Sequence, residues 1–246
     1  MIESPPSLPS QTDLWQSTLQ WVPTPIQQEL LQQLYQGVLE GNQVLNLTRI
    51  TAPEEFWEKH VWDSFSGLQG YLTQTTPPPT RIIDIGTGGG FPGLPAAIAF
   101  PESTITLLDA TRKKIAFLET LAHSLGLTNV IPITERAEAL GQHPTHREQY
   151  DLALLRAVAP ANVCAEYALP LLKQGGRAIL YRGQWTPEEE QELEGAIAQL
   201  GGQLFRVDAL TTPLSQSLRH CIHLDKVAPT PERFPRGVGI PRQRPL

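Results

Sequence analysis

Asp84-Ile85-Gly86-Thr87-Gly88-Gly89-Gly90-Phe91-Pro92-Gly93 follows without a break on the apolar run Arg81–Ile85. A short apolar run that opens into glycines reads as a buried strand feeding a ligand loop. Glycine reaches positive φ and lets the backbone approach a bound group closely. In a doubly wound sheet such a loop lies outside the carboxyl ends of the strands, at the point where strand order reverses. Four glycines within the five positions 86–90 make a plain turn a poor account of the stretch.

Working outward, strands alternate with helices. Thr104–Leu108, Val130–Ile133, Leu152–Leu155 and Ala178–Tyr181 read as further strands. Gly93–Phe100 and Thr111–Leu125 read as helices, the second with Ile115, Leu118, Ala122 and Leu125 on one face and Gly126 as its stop. Thr186-Pro187-Glu188-Glu189 combines an N-cap, a first-turn proline and a capping-box Glu, so a helix runs from there to Leu200. Gln203–Val207 and Arg219–Leu224 then follow with no helix between them, which predicts an antiparallel hairpin at the sheet edge. The succession demands an α/β fold, a doubly wound and mostly parallel sheet with helices on both faces. Upstream, residues 1–13 are polar, rich in Pro and Ser, and read as disordered. Residues 14–72 read as an N-terminal helical cap, with helices over Thr24–Gly41 and Pro53–Leu72, and 73–80 (TQTTPPPT) as a stiff linker. Residues 81–226 then form the main domain and 227–246 a basic tail rich in Pro and Arg.

Composition narrows the class. No apolar run approaches the roughly 18 residues that a membrane span needs. The N-terminus has neither the basic nor the apolar region of a secretory signal. Cys164 and Cys221 stand far apart with no Cys/His ligand spacing, so neither a disulfide framework nor a metal site is expected, and a reducing cytoplasm is the simplest location. The net charge of −6 argues against a polyanionic partner, but the tail carries four arginines against one glutamate. Charge acts over only about 8 Å at physiological salt, so a local basic patch can still meet nucleic acid.

Two nucleoside ligands compete for the loop. Gly88, Gly90 and Gly93 match G-x-G-x-x-G, the dinucleotide pattern of NAD(P)-dependent oxidoreductases. Asp84, two residues before Gly86, instead gives D-x-G-x-G-x-G, which resembles the first motif of Rossmann-like methyltransferases. Pro92 and Pro95 deplete the N–H groups that a pyrophosphate would seek, and a nearby carboxylate suits a cationic sulfonium better than a pyrophosphate. Asp109, at the end of the second strand, can accept from both hydroxyls of a ribose, as either ligand requires; capping the helix that follows is its plainer use.

Beyond the loop, an ordered set of motifs resembles the RsmG (GidB) family of 16S ribosomal RNA guanine-N7 methyltransferases. The set comprises Asn46-Leu47-Thr48, His60-Val61-Trp62-Asp63-Ser64, Asp84–Pro95, Leu107-Leu108-Asp109 with Arg112-Lys113-Lys114, Arg136-Ala137-Glu138, Arg156-Ala157, Tyr181-Arg182-Gly183 and the tail Arg233–Leu246. The resemblance runs from about Gly41 to the end. It implies a Rossmann-like class I methyltransferase that uses S-adenosyl-L-methionine and takes 16S rRNA or the small ribosomal subunit as partner, with a monomer expected. Carried over, the cofactor contacts fall on Gly86, Gly88, Phe91, Asp109, Ala110, Thr111, Ala137, Glu138 and Arg156. Arg182 departs from the Lys that many members carry before the glycine.

Guanine N7 has a free lone pair and no proton to lose, so methylation there needs no general base, covalent nucleophile or metal. Positioning alone can supply about 7–11 kcal/mol, and no catalytic residue is expected. The sequence has no Asn-Pro-Pro-Tyr motif and no Pro-Cys pair. Because the product base is cationic, positive side chains belong on phosphates or cofactor. Asn46, His60, Lys113, Lys114 and Arg136 are the candidates for RNA contact. Plainer readings stand beside these: a turn cap for Asn46, a satisfied core histidine for His60, a solvated helix face for the lysines and, for the cofactor candidate Arg156, a buried ion pair. Trp57 and Trp62 at helical spacing read as core before they read as base-stacking platforms. A non-catalytic RNA-binding or ribosome-assembly module that keeps a vestigial pocket is the remaining alternative; the intact Asp84, glycines and Asp109 speak against decay.

Overall fold

The computed structural model describes residues 6–246. The chain up to residue 72 is helical. α1 (Thr12–Leu19) buries Trp15 and Leu19. α2 (Pro25–Leu45) opens on a full capping box, the Thr24 hydroxyl accepting from the Gln27 N–H and the Gln27 side chain accepting from the Thr24 N–H, with Pro25 at the first position. It runs one turn past the expected Gly41 and stops where Asn46 turns left-handed (φ 49°). The expected second helix is broken into α3 (Pro53–Phe56), a wide π-helical turn at Trp57–Trp62, α4 (Asp63–Ser66) and α5 (Gln69–Leu72).

The reading of residues 1–13 as disordered extends too far. α1 begins at Thr12, Leu8 packs on the apolar core, and the Leu8 N–H donates to Gln32 Oε1 at 2.7 Å. Residues 1–5 lie outside the described residues. Trp15 explains the order: its ring meets Trp57 and Phe65 edge-on at centroid distances of 5.0 and 5.7 Å, so one aromatic anchors a stretch whose average composition is polar.

After the linker come β1 (Arg81–Ile85), α6 (Gly93–Ala99), β2 (Thr104–Asp109), α7 (Arg112–Ser124), β3 (Val130–Thr134), α8 (Ala137–Gln142), β4 (Tyr150–Arg156), α9 (Ala161–Ala168), β5 (Leu172–Arg182), α10 (Pro187–Leu200), β6 (Gly202–Thr211), β7 (Leu218–Lys226) and α11 (Ile240–Gln243). The seven strands lie in the order β3-β2-β1-β4-β5-β7-β6. The first five are parallel, and β7 runs antiparallel to both β5 and β6, the expected edge hairpin. Strand order reverses between β1 and β4, which opens a crevice above their carboxyl ends.

Alternation along the strands sorts two apolar cores. Ile82, Leu152, Leu154 and Ile179 face the cap helices with α6 and α7. Ile83, Ile85, Ala153, Leu155 and Leu180 face α9 and α10. The cap therefore shares its core with the sheet. Its closest approach is at α2, where a Cβ on Gly37 would run into Leu121 of α7 and one on Gly41 into Phe117. Glu58 adds a polar tie: its buried carboxylate accepts the N–H groups of Leu214 and Ser215 in the β6–β7 connection, at 2.5 and 2.8 Å.

Gly37→Val should therefore overpack the α2–α7 seam and lower unfolding free energy by about 1–3 kcal/mol in urea titrations. Gly195→Ala in α10, where a new Cβ meets nothing within 4 Å, should instead leave stability unchanged or raise it by up to about 1 kcal/mol through helix propensity. Equal effects would show that the α2 glycines do not set that approach.

Candidate functional site

Asp84 organises the glycine loop from beneath. Fully buried, its Oδ2 accepts from the Thr87 hydroxyl at 2.7 Å and from the Gly93 N–H at 2.8 Å, while Oδ1 has no partner. Burial pushes this carboxyl up to about 6. Gly86, Gly88 and Gly90 all have positive φ, but for different surroundings. A Cβ on Gly86 would meet Val158 at 2.8 Å and one on Gly90 would meet Leu94 at 2.6 Å, whereas on Gly88 it would find only open space and the Gly86 carbonyl at 3.8 Å. Gly88 is thus the position where the loop leaves room above its backbone.

The amide groups at the start of α6 decide what that room can hold. Pro92 and Pro95 have none, the Gly93 N–H is taken by Asp84, and the Leu94 N–H by the Gly90 carbonyl. No free row of donors is left for a pyrophosphate, which removes the physical basis of dinucleotide binding. A ligand with a sulfonium and an amino acid needs no such row. Asp109 stands across from the loop, Oδ2 accepting the Gly88 N–H at 3.1 Å and Oδ1 the Thr111 N–H at 2.8 Å. The helix cap itself is Thr111. Each carboxylate oxygen keeps a lone pair for a further donor.

Three cavities adjoin along the carboxyl ends of the strands. The first, about 210 Å³, lies between Asp109-Ala110-Thr111, Arg136-Ala137-Glu138 and Tyr167. The second, about 510 Å³, lies over Gly86–Gly89 and Phe91, with Leu47, Thr48, Lys114 and His60 around it. They share Gly86, Asp109, Val158 and Arg242. The third, about 790 Å³, spreads over the ends of β4 and β5 with Lys59, Asp63, Arg182, Glu189 and Arg219, and meets the second at His60, Arg156 and Ala157. Together they form one groove from β3 to β5.

At the seam between the second and third cavities, side chains are tightly arranged. Arg156 Nη1 donates to Asp63 Oδ2 at 3.0 Å and to the Lys59 carbonyl at 2.8 Å. Its Nη2 lies 3.2 Å from His60 Nδ1, which must accept; the ring proton therefore sits on Nε2, which donates to Thr48 Oγ1 at 2.7 Å. Burial first, and then the Arg156 and Lys59 charges, push His60 down to about 3. The imidazole is neutral, stacked on Phe91 at 4.8 Å. Asp63 also forms an ion pair with Arg219, Nε lying 3.3 Å from Oδ1.

Most of the residues singled out from sequence thus gather here. Gly86, Gly88, Phe91, Asp109, Ala110, Thr111, Ala137, Glu138, Arg156, His60, Lys114 and Arg136 line the groove. Arg136 does so bonded to Glu138, Nη2 to Oε1 at 3.1 Å. Arg156 both lines the groove and forms the ion pair that was its plainer reading. Lys113 and Asn46 line none of the three cavities; Lys113 projects into solvent and Asn46 caps α2. Trp57 and Trp62 are core, the Trp62 Nε1–H donating to Thr18 Oγ1 at 2.9 Å. Val158, Tyr167, Arg219 and Arg242 were not singled out; Val158 lies two residues past the end of β4 and is apolar, and the other three reach the groove through tertiary contacts that leave no local pattern. Among the described residues no three His, Cys, Asp or Glu side chains are grouped to hold a metal ion, and no helix is long and apolar enough to cross a membrane.

Comparison with known proteins agrees with this architecture. A Thermotoga maritima SAM-dependent O-methyltransferase shares the fold at 16% identity and a TM-score of 0.50, covering 80% of this chain and 72% of its own. A branched-chain polyamine synthase from Thermus thermophilus does so at 11% identity and a TM-score of 0.53, over 69% of this chain and 57% of its own. By sequence, the ribosomal RNA small subunit methyltransferase G of Trichormus variabilis is 58% identical over 241 residues, 97% of this chain and 98% of that protein. The protein of the same name from Trichodesmium erythraeum is 52% identical, over 97% and 94%. The model of the family GidB, rRNA small subunit methyltransferase G, matches residues 27–219, and with these relatives it places the chain in that family.

Proposed function

We propose that this chain transfers a methyl group from S-adenosylmethionine to N7 of a guanine in 16S ribosomal RNA, acting in the cytoplasm as a single chain. The observation that carries the reading is the continuous groove, whose two inner cavities suit a nucleoside and whose wide outer cavity is rimmed by arginines. S-adenosylmethionine, when bound, supplies the methyl group on a sulfonium.

The residues divide the work along the groove. Asp109 accepts from the ribose hydroxyls, and its second use, holding the Gly88 N–H, fixes the loop against the same carboxylate. Ala137 and Glu138 flank the adenine, with buried Glu138 Oε2 left without a partner as the acceptor for its amino group. Gly88 leaves space for the amino-acid end. Beyond the seam, Arg156, Arg182 and Arg219 rim the cavity that receives the target nucleotide. Lys114 faces the glycine loop from the opposite wall. His60 takes no proton, since it stays neutral and both its nitrogens are engaged. It fills the seam with an uncharged surface, which avoids a positive charge beside a base that becomes cationic. Rate enhancement comes from alignment and from excluding water.

Incubation with S-adenosylmethionine carrying a labelled methyl group and small-subunit RNA should place the label on one guanine and render that position cleavable by borohydride and aniline, the signature of N7-methylguanosine. Label on another atom, or none, would overturn the reading. Asp109→Ala should weaken S-adenosylhomocysteine binding about 10- to 100-fold in calorimetry, through loss of charge-assisted hydrogen bonds.

His60 also gives a sign for pH dependence. Folded, it binds a proton only near about 3, whereas in the unfolded chain it does so near the ordinary 6.5. Between those values the unfolded state holds more protons, so stability is full above about 6.5 and declines as pH falls, by at most about 1.4 kcal/mol per pH unit. His60→Gln should flatten the fall of the melting temperature between pH 7 and 5. The transfer rate at saturating substrates should show no inflection from His60 across pH 6–8. An inflection abolished by His60→Gln would make it a proton carrier after all.

A further inference from the structure

The tail read from sequence as a basic, Pro- and Arg-rich patch is not loose in the structure. Arg147 clamps its start, Nη2 donating to the Thr230 carbonyl and Nη1 to that of Phe234, both at 2.7 Å. Two residues on, Arg236 meets fully buried Glu166 of α9: its backbone N–H and Nε donate to Oε1 at 2.8 and 2.9 Å, and Nη2 to Oε2 at 2.6 Å. The other end is held as well, the Leu246 carbonyl accepting from Asn162 Nδ2 at 3.1 Å. Between these anchors the segment touches the first cavity of the groove, through Gly239 against Glu138 and through Arg242 in its lining.

What it presents there is polar. Gly239, at φ 84°, turns its N–H onto Glu138 Oε1 at 2.9 Å. Arg242 Nη2 donates to the Val158 carbonyl at 3.1 Å, and its side chain lines both the first and the second cavity. Val238 and Ile240 of the same stretch are 56% and 36% exposed, while Leu246 packs on the apolar core and Pro241 is buried. A strap serving only to cover apolar core would not expose Val238 while its Gly239 N–H and Arg242 contact groove residues.

From this placement, and resting on the cofactor position given above, we infer that residues 237–246 are a working part of the cofactor site. Gly239 sets Glu138 as the acceptor that reads the adenine amino group, and Arg242 closes the roof where the adenosine cavity meets the glycine loop.

The chemistry of Glu138 makes the first half specific. Its Oε1 already accepts from Gly239 N–H and Arg136 Nη2, which leaves only the buried Oε2 for a ligand. Burial pushes the carboxyl up, but the bonds from Gly239 and Arg136 prevail and hold it below the ordinary carboxylate range. An ionised carboxylate accepts and never donates. It attracts the amino group of adenine and repels the carbonyl oxygen that replaces that group in hypoxanthine. Without the strap, Glu138 loses one of its two fixed donors and opens to water, and both its aim and its selectivity decline.

The test uses S-adenosylhomocysteine and its deaminated analogue S-inosylhomocysteine, titrated calorimetrically into the full chain, a chain ending at Arg236, Gly239→Pro, Arg242→Ala and Glu138→Gln. The full chain should prefer the adenine compound by at least about tenfold, the worth of one charge-assisted hydrogen bond. Gly239→Pro removes the donor and, because proline cannot adopt φ 84°, also re-routes the turn, leaving the Arg236 and Leu246 anchors outside it untouched in sequence; like the shortened chain, it should bind S-adenosylhomocysteine about tenfold more weakly. In both, the preference should shrink to about threefold or less, roughly the weaker end of a net neutral hydrogen bond. Arg242→Ala, on the surface, should weaken both compounds alike. Variants that keep the affinity and the preference of the full chain would overturn the strap's role and leave the cofactor position standing. A full chain that does not distinguish the compounds, or a Glu138→Gln variant that distinguishes them unchanged, would instead remove the adenine from Glu138 and the inference with it.

Discussion

Arg156 leaves the carboxyl end of β4 and enters a seam where cap, glycine loop and sheet meet. Its guanidinium satisfies Asp63 and the Lys59 carbonyl on the cap, bonds His60, and lies 5.6 Å from the centre of the Phe91 ring in the loop. The side chains of Arg156 and Asp63 are 15% and 8% exposed, so the pair is largely out of water. Such a pair contributes little net stability, yet losing one partner leaves an uncompensated charge at a cost of about 3–5 kcal/mol. Its value is in specifying geometry. The π-helical turn before Asp63 matters here, because the wider coil lets Lys59 offer its carbonyl to Arg156 while Trp57, Val61 and Trp62 stay in the core. Cap and sheet are held in one register, and the groove inherits its shape from that register.

The same principle of committed groups governs the loop. Each early amide of α6 is either absent, as at Pro92 and Pro95, or occupied. Asp84 takes two donors and sees no solvent, so it acts as a pedestal for Gly93 and Thr87; the simpler notion of a carboxylate facing the sulfonium does not match its position. A G-x-G-x-x-G spacing is therefore present without the anion site that gives that spacing its usual meaning. The distinction lies in hydrogen-bond accounting, which a pattern of glycines does not contain.

This separates what was legible in the sequence from what was not. The strand–loop–helix core was legible because hydrophobic alternation and glycine punctuation are local. β5 was read as Ala178–Tyr181 but spans Leu172–Arg182, since Gly175 and Gly176 look like a break and in fact accompany a shift of register against β4. α9 was missed for the opposite reason: every residue from Ala161 to Ala168 is buried, and its only strongly polar side chains, Asn162 and Glu166, are taken up by the tail, so the helix shows no solvated face. α1 was hidden by its polar surroundings, although Trp15 supplied the anchor. In the site, residues next to the glycines or at strand ends were accessible to spacing arguments. Tyr167, Arg219 and Arg242 were not, because each arrives from a distant part of the chain, from a helix, an edge strand or the tail; Val158 lies just past the end of β4 and was passed over because an apolar side chain there carries no chemical signal. The four tail arginines were counted as a basic patch, but Arg236 is neutralised by Glu166 and Arg242 is directed inward.

Charge in the outer cavity follows from the same restraint. Arg156 and Arg219 share Asp63, Arg182 is paired with Glu189, and Lys59 with Glu55. Every one of these four cations thus has an anion within bonding distance, with Arg156 and Arg219 sharing one. A polyanion entering this cavity finds donors that are oriented but not a strong net positive potential. That balance suits the chemistry, since an unpaired arginine beside the cationic methyl donor would oppose its binding, and one beside the guanine, which becomes cationic, would oppose the transfer. Phosphates further out can still draw arginine donors away from their carboxylates, because a guanidinium has five N–H groups and these pairs use only some of them. Binding strength and electrostatic neutrality at the reacting atoms are in this way assigned to different ends of the same side chains.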